Sequence, residues 1–98
     1  MRQFDVCRTP DGTLVVVLQH DLLETLQTRV VAPLRPFEQA FGLPQRLNPL
    51  VNVDGRTYAV QTQLAATLSV GELSTTSLSL EPYRDELVRS LDMVFTGI

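Results

Sequence analysis

The chain has 98 residues, 44% of them apolar and 19% charged, which is enough for one domain with a modest core over residues 1–98 and too little for a second. Eight basic residues against eleven acidic ones leave no basic face, which disfavours direct binding to a nucleic-acid backbone. The lone cysteine, Cys7, excludes an internal disulfide and a cysteine-based zinc site, and the longest apolar run, Leu14 to Leu18, falls far short of the ~20 residues of a membrane helix. With no basic and apolar leader at the start, these features predict a soluble protein of the reducing cytoplasm, without a membrane partner.

Gln3-Phe4-Asp5-Val6 alternates polar and apolar residues at the period of a half-buried strand. Pro10-Asp11-Gly12 then predicts a turn, since Pro presets φ and Gly accepts positive φ. Thr13 to Gln19 is nearly continuous in β-branched and aliphatic residues, the pattern of a strand packed on both faces, and the two strands should pair as a hairpin. Thr28 to Leu34 predicts a third strand, ended by Pro33, whose missing N–H stops a ladder.

Arg35 to Arg46 reads as a connector, with room in Phe37-Glu38-Gln39-Ala40-Phe41 for one irregular or helical turn. Leu50 to Val53 and Arg56 to Gln61 flank Asp54-Gly55, the dipeptide suited to both positive-φ positions of a type I′ hairpin. Gln63 to Val70 predicts another strand, and Ser74 to Ser79 either a loop or an edge strand. From Pro82 the period lengthens. Tyr83, Leu87, Leu91 and Phe95 recur at four-residue steps with Val88 and Val94 beside them, while Arg84, Asp85, Arg89 and Asp92 take the other side of one amphipathic helix. Pro82 suits the first helical position, Asp85 and Glu86 the positive end of the helix dipole, and Gly97 the left-handed residue beyond the last turn. The expected fold is mainly β, a small antiparallel barrel with one C-terminal α-helix.

Chemistry-bearing constellations are scarce. His20 is the only histidine, and no phosphate loop or His-based metal motif is present, so we assign no catalytic residue, metal or cofactor and expect a protein that is not an enzyme. His20-Asp21 and the Asp21/Glu24 carboxylates read as solvated loop groups, and Cys7 as a small buried hydrophobe. Leu22-Leu23 is open between core and surface, and an exposed pair would suit a protein interface. Phe95 is divided in the same way. The ending Phe95-Thr96-Gly97-Ile98 follows an apolar helix with no solvating residues after it, which predicts a tip that packs or inserts into a partner.

Gln3-Phe4-Asp5-Val6, Val17 to Thr25, Arg29-Val30-Val31-Ala32-Pro33-Leu34, the hairpin Leu50 to Gly55 and the ending Met93 to Ile98 together resemble, in order and spacing, the CcdB family of toxins. The resemblance implies an SH3-like barrel with a terminal helix, acting as a homodimer. It also implies a non-enzymatic poison that binds the DNA gyrase A subunit, traps the cleaved-DNA complex and is neutralised by a CcdA-like antitoxin. Carried over by position, the gyrase-binding residues are Thr96, Gly97 and Ile98, with Asp92 and Phe95 on the helix and Leu22 and Leu23 in the loop. Two positions depart from the best-known members, which have Trp at the place of Thr96 and Asn at that of Asp92. Thr96 cannot stack on an arginine as Trp does, and this raises an alternative, a family member that binds antitoxin without poisoning gyrase. A ribonuclease ranks below both, for want of acid/base groups and of positive charge.

Overall fold

Seven antiparallel strands, five short 3₁₀ turns and one α-helix make up the fold in a computed structural model that describes residues 1–98. The first hairpin forms as its residues predict: β1 (Asp5–Arg8) sets Val6 opposite Val16 and Cys7 opposite Val15 of β2 (Leu14–Val17), around a turn in which Gly12 has a φ of 88°. The strand does not reach back to Gln3. Phe4 takes a left-handed φ of 70°, donates its N–H to the Val17 carbonyl and accepts from the Leu80 N–H, so the chain bends there before β1 starts. Two-residue periodicity cannot reveal such a residue. Burial of the ring holds a bulky side chain in a conformation it ordinarily avoids.

The long strand β3 (Thr28–Pro36) continues beyond Pro33, contrary to the expectation that the proline ends it. Its pairing changes there instead. Val31, Ala32 and Pro33 face β2, whereas Leu34, Arg35 and Pro36 face β5 (Arg56–Val60), and the Pro33 carbonyl accepts the Gln61 N–H at the crossover. A residue without an N–H suits the point where a strand leaves one partner for another.

The hairpin of β4 (Leu50–Val53) with β5 turns on Asp54 and Gly55 at φ of 53° and 86°, the type I′ geometry expected of Asp-Gly. The strand expected over Gln63 to Val70 is shorter. β6 (Ala66–Ser69) pairs with the start of β3, and single 3₁₀ turns at Thr62–Leu64 and Val70–Glu72 bracket it, because Gln61 leaves the extended region and Ser69 caps the second turn through its hydroxyl. Ser74–Ser79 is an edge strand, β7, on β1. The path β4-β5-β3-β2-β1-β7, with β6 also on β3, curls into a half-barrel.

The two faces of β2 explain its apolar run. Val16 and Leu18 point into the larger core with Phe4, Val60, Leu80 and Leu87, while Val15 and Val17 join Cys7, Val31 and Leu73 on the opposite face. Cys7 is therefore a core residue, and burial pushes its thiol pKa up, away from the reactive thiolate. The helix α1 (Arg84–Thr96) starts two residues after Pro82, which lies instead in a 3₁₀ turn over Glu81–Tyr83. Proline needs no N–H partner in that first turn. Leu87 enters the main core, and Ser90 beneath it shares a buried 3.0 Å hydrogen bond with Thr62. No helix is long and apolar enough to cross a membrane.

Candidate functional site

The last turn of α1 emerges from the core. Leu87 is buried, whereas Phe95 is 74% exposed and Ile98 82% exposed, so the four-residue apolar stripe outruns the surface it packs on. Gly97 ends the helix at φ 78° and donates its N–H to the Met93 carbonyl, the left-handed cap its sequence position predicts. The cap fixes the direction in which Ile98 leaves. Thr96 turns its hydroxyl back onto the helix, 2.7 Å from the Asp92 carbonyl, and so offers its surroundings a methyl group instead of a free donor.

Beside this tip runs a groove of about 740 Å³. Asp92, Met93, Thr96 and Ile98 form the helix side, and Pro49 and Leu50 face them from the start of β4. Three expected site residues, Asp92, Thr96 and Ile98, thus line one wall. Arg46 and Arg89 as well as Glu86 also border the groove, so its rim carries both signs of charge.

Phe95 and Gly97 belong to the tip without lining the groove, and Leu22 and Leu23 lie elsewhere. Leu22 and Leu23 occupy a single 3₁₀ turn, Asp21–Leu23, after β2, and both are exposed, at 85% and 49%. That resolves the open reading of the pair in favour of the surface. His20 begins this turn: its Nδ1 accepts the Leu22 N–H at 3.0 Å, which requires that nitrogen to be unprotonated. The Asp21 carboxylate accepts the Gln3 N–H at 2.7 Å and pairs with Arg2 at 3.1 Å. Gln3 in turn accepts from Arg84 at the start of α1. The leucine turn is therefore tied to the first turn of α1, while the tip stands at its last, about 18 Å further along the axis at the helical rise per residue. Neither Leu22 nor Leu23 lines the groove.

Three contributors escape the sequence pattern. Arg29, in a run that reads only as a strand, is 7% exposed and spends its guanidinium on the carbonyls of Glu24, Leu26 and Thr28, in the segment that leads from the leucine turn into β3. Pro49 and Leu50 read as strand entry, and only the placement of α1 across a groove from that end makes them a groove wall.

A family model described as the CcdB protein matches residues 3–97, nearly the whole chain. The chain belongs to the CcdB family. A search of curated proteins finds no match. Membership supports the toxin role in a toxin–antitoxin pair, and the CcdB match takes in Leu22, Leu23, Asp92, Phe95, Thr96 and Gly97 along with the half-barrel and helix that carry them.

Proposed function

We propose that this chain is a CcdB-like toxin that acts as a cytoplasmic homodimer, grips the DNA gyrase A subunit with the tips of its two α1 helices, traps the cleaved-DNA complex, and is neutralised by a CcdA-like antitoxin. The observation that carries the proposal is the capped, solvent-facing tip, where Phe95 and Ile98 stand clear of the core at a helix end closed by Gly97. Large apolar side chains held outward in a fixed geometry favour a partner that covers them. In a two-fold dimer each such contact occurs twice, which suits a target that is itself two-fold.

The inward-turned Thr96 hydroxyl shifts the weight of binding onto Phe95 and Ile98, since a methyl neither stacks nor donates. The same observation favours the second reading, a member that retains antitoxin binding and has lost gyrase poisoning. Both readings are non-enzymatic. His20 supports this, because the nitrogen that a general base would use caps the leucine turn.

Induction of the chain in a gyrase-dependent bacterium tests the proposal. Growth arrest with double-strand DNA breaks is expected, relieved by a co-expressed CcdA-like antitoxin, and His20→Ala should arrest growth as the unaltered chain does. Antitoxin binding without arrest would select the second reading. Loss of arrest in a His20→Ala protein that still binds gyrase would overturn the non-enzymatic account.

A further inference from the structure

Arg29 is a buried cation with no anion. It is 7% exposed, and the chain's ion pairs join Arg2 to Asp21, Arg56 to Glu38, Arg84 to Glu81 and Arg89 to Glu86, leaving Arg29 without a carboxylate. Its donors go to main-chain oxygens: Nη1 to Leu26 at 2.7 Å and Thr28 at 2.9 Å, Nη2 to Glu24 at 2.9 Å. Burying a guanidinium without a counter-charge is costly. A turn that served only to join β2 to β3 could close on water-exposed carbonyls without it.

Gln19 works from the other side. Its Nε2 donates to the Leu23 carbonyl at 3.1 Å and the Thr28 carbonyl at 3.2 Å, while its Oε1 accepts the Val30 N–H. The carbonyls of Leu23, Glu24, Leu26 and Thr28 are thus all held by two side chains, one at the exit of β2 and one at the entry of β3, which pins the end of the Leu22-Leu23 turn and the segment after it while both leucines face solvent.

We propose that Arg29 is a positioning residue that pre-organises the Leu22-Leu23 turn for docking. The idea that gyrase is what docks rests on the function proposed above; the ordering of the turn does not. An exposed apolar pair that is already rigid loses less freedom when covered, so affinity gained this way shows as a dependence on a residue the partner never touches.

The test compares the unaltered chain with Arg29→Ala by amide hydrogen exchange and by binding to purified gyrase A subunit. In Arg29→Ala the amides of Leu22, Leu23, Glu24 and Leu26 should exchange about tenfold faster with core amides of β2 and β5 unchanged, and affinity should fall about tenfold. Millimolar guanidinium ion should restore both, and equal sodium chloride neither. A change confined to the turn and rescued by guanidinium separates positioning from general stability. Unchanged turn exchange, or equal acceleration across the whole chain, would overturn the proposal. Should Arg29→Ala fail to fold, Arg29→Lys retains the charge with fewer aligned donors, and a smaller acceleration again confined to the turn is expected. If the turn loosens as described and no form of the chain binds gyrase, the positioning role stands and the gyrase reading fails.

Discussion

If the function proposed above holds, removal of Gly97 and Ile98 should abolish trapping of gyrase-cleaved DNA and leave the chain folded. Ile98 is exposed and buries nothing in the core, so the free protein loses only the cap bond from Gly97 to Met93, about 1 kcal/mol or less of stability. Against a target the balance reverses. Covering one isoleucine side chain is worth about 1.5–3 kcal/mol, and two tips in a dimer double this, so the deletion should lower affinity roughly 10²- to 10⁴-fold. Cleavage trapping with purified gyrase and thermal unfolding of the same samples check the separation. Equal trapping by the deleted and intact chains would remove the tip from the mechanism. A collapse of thermal stability on deletion would show that the tip belongs to the core after all.

The second large effect lies at the other end of the chain. Phe4→Ala should destabilise the protein by about 3–5 kcal/mol, the usual loss for a fully buried aromatic, out of the roughly 5–15 kcal/mol typical of a small domain. Phe4 fills the main core, lies under the Arg84 guanidinium at 5.0 Å from the ring centre, and ties β2 to Leu80 through its own N–H and carbonyl. Alanine at this φ of 70° keeps the backbone strain and discards the ring that offsets it. Urea unfolding followed by circular dichroism should show the midpoint fall at unchanged slope. A loss under about 1 kcal/mol would mean that the core collapses around the gap or that Phe4 is not held as described.

Local chemistry made much of this fold legible. Asp54-Gly55 demanded its turn, Val15 to Leu18 demanded burial on both faces, and Gly97 demanded a left-handed cap, since each is a requirement of a few neighbouring atoms. The failures share the opposite character. Phe4 at positive φ and the change of partner at Pro33 are imposed by segments distant in sequence, which no periodicity records.

The candidate site divides in the same way. The apolar ending Phe95-Thr96-Gly97-Ile98 and the adjacent leucines Leu22-Leu23 were legible as candidates from their residue types, and the family resemblance added Asp92. What the chain could not disclose is that Asp92 and Thr96 share a groove with Pro49 and Leu50, or that Leu22 and Leu23 are tied to the far end of α1. Nor does the pattern Thr28-Arg29-Val30 distinguish a solvated strand arginine from one buried under a turn.

The most direct measurement is calorimetric titration of gyrase A subunit with the intact chain and with Thr96→Trp. The account predicts saturable binding at one toxin dimer per A-subunit dimer, tightened about 5- to 30-fold in Thr96→Trp, because an aromatic ring at the tip regains a cation–π partner worth about 1–2 kcal/mol when desolvated. Absence of binding by both proteins, each folded and dimeric, would contradict it.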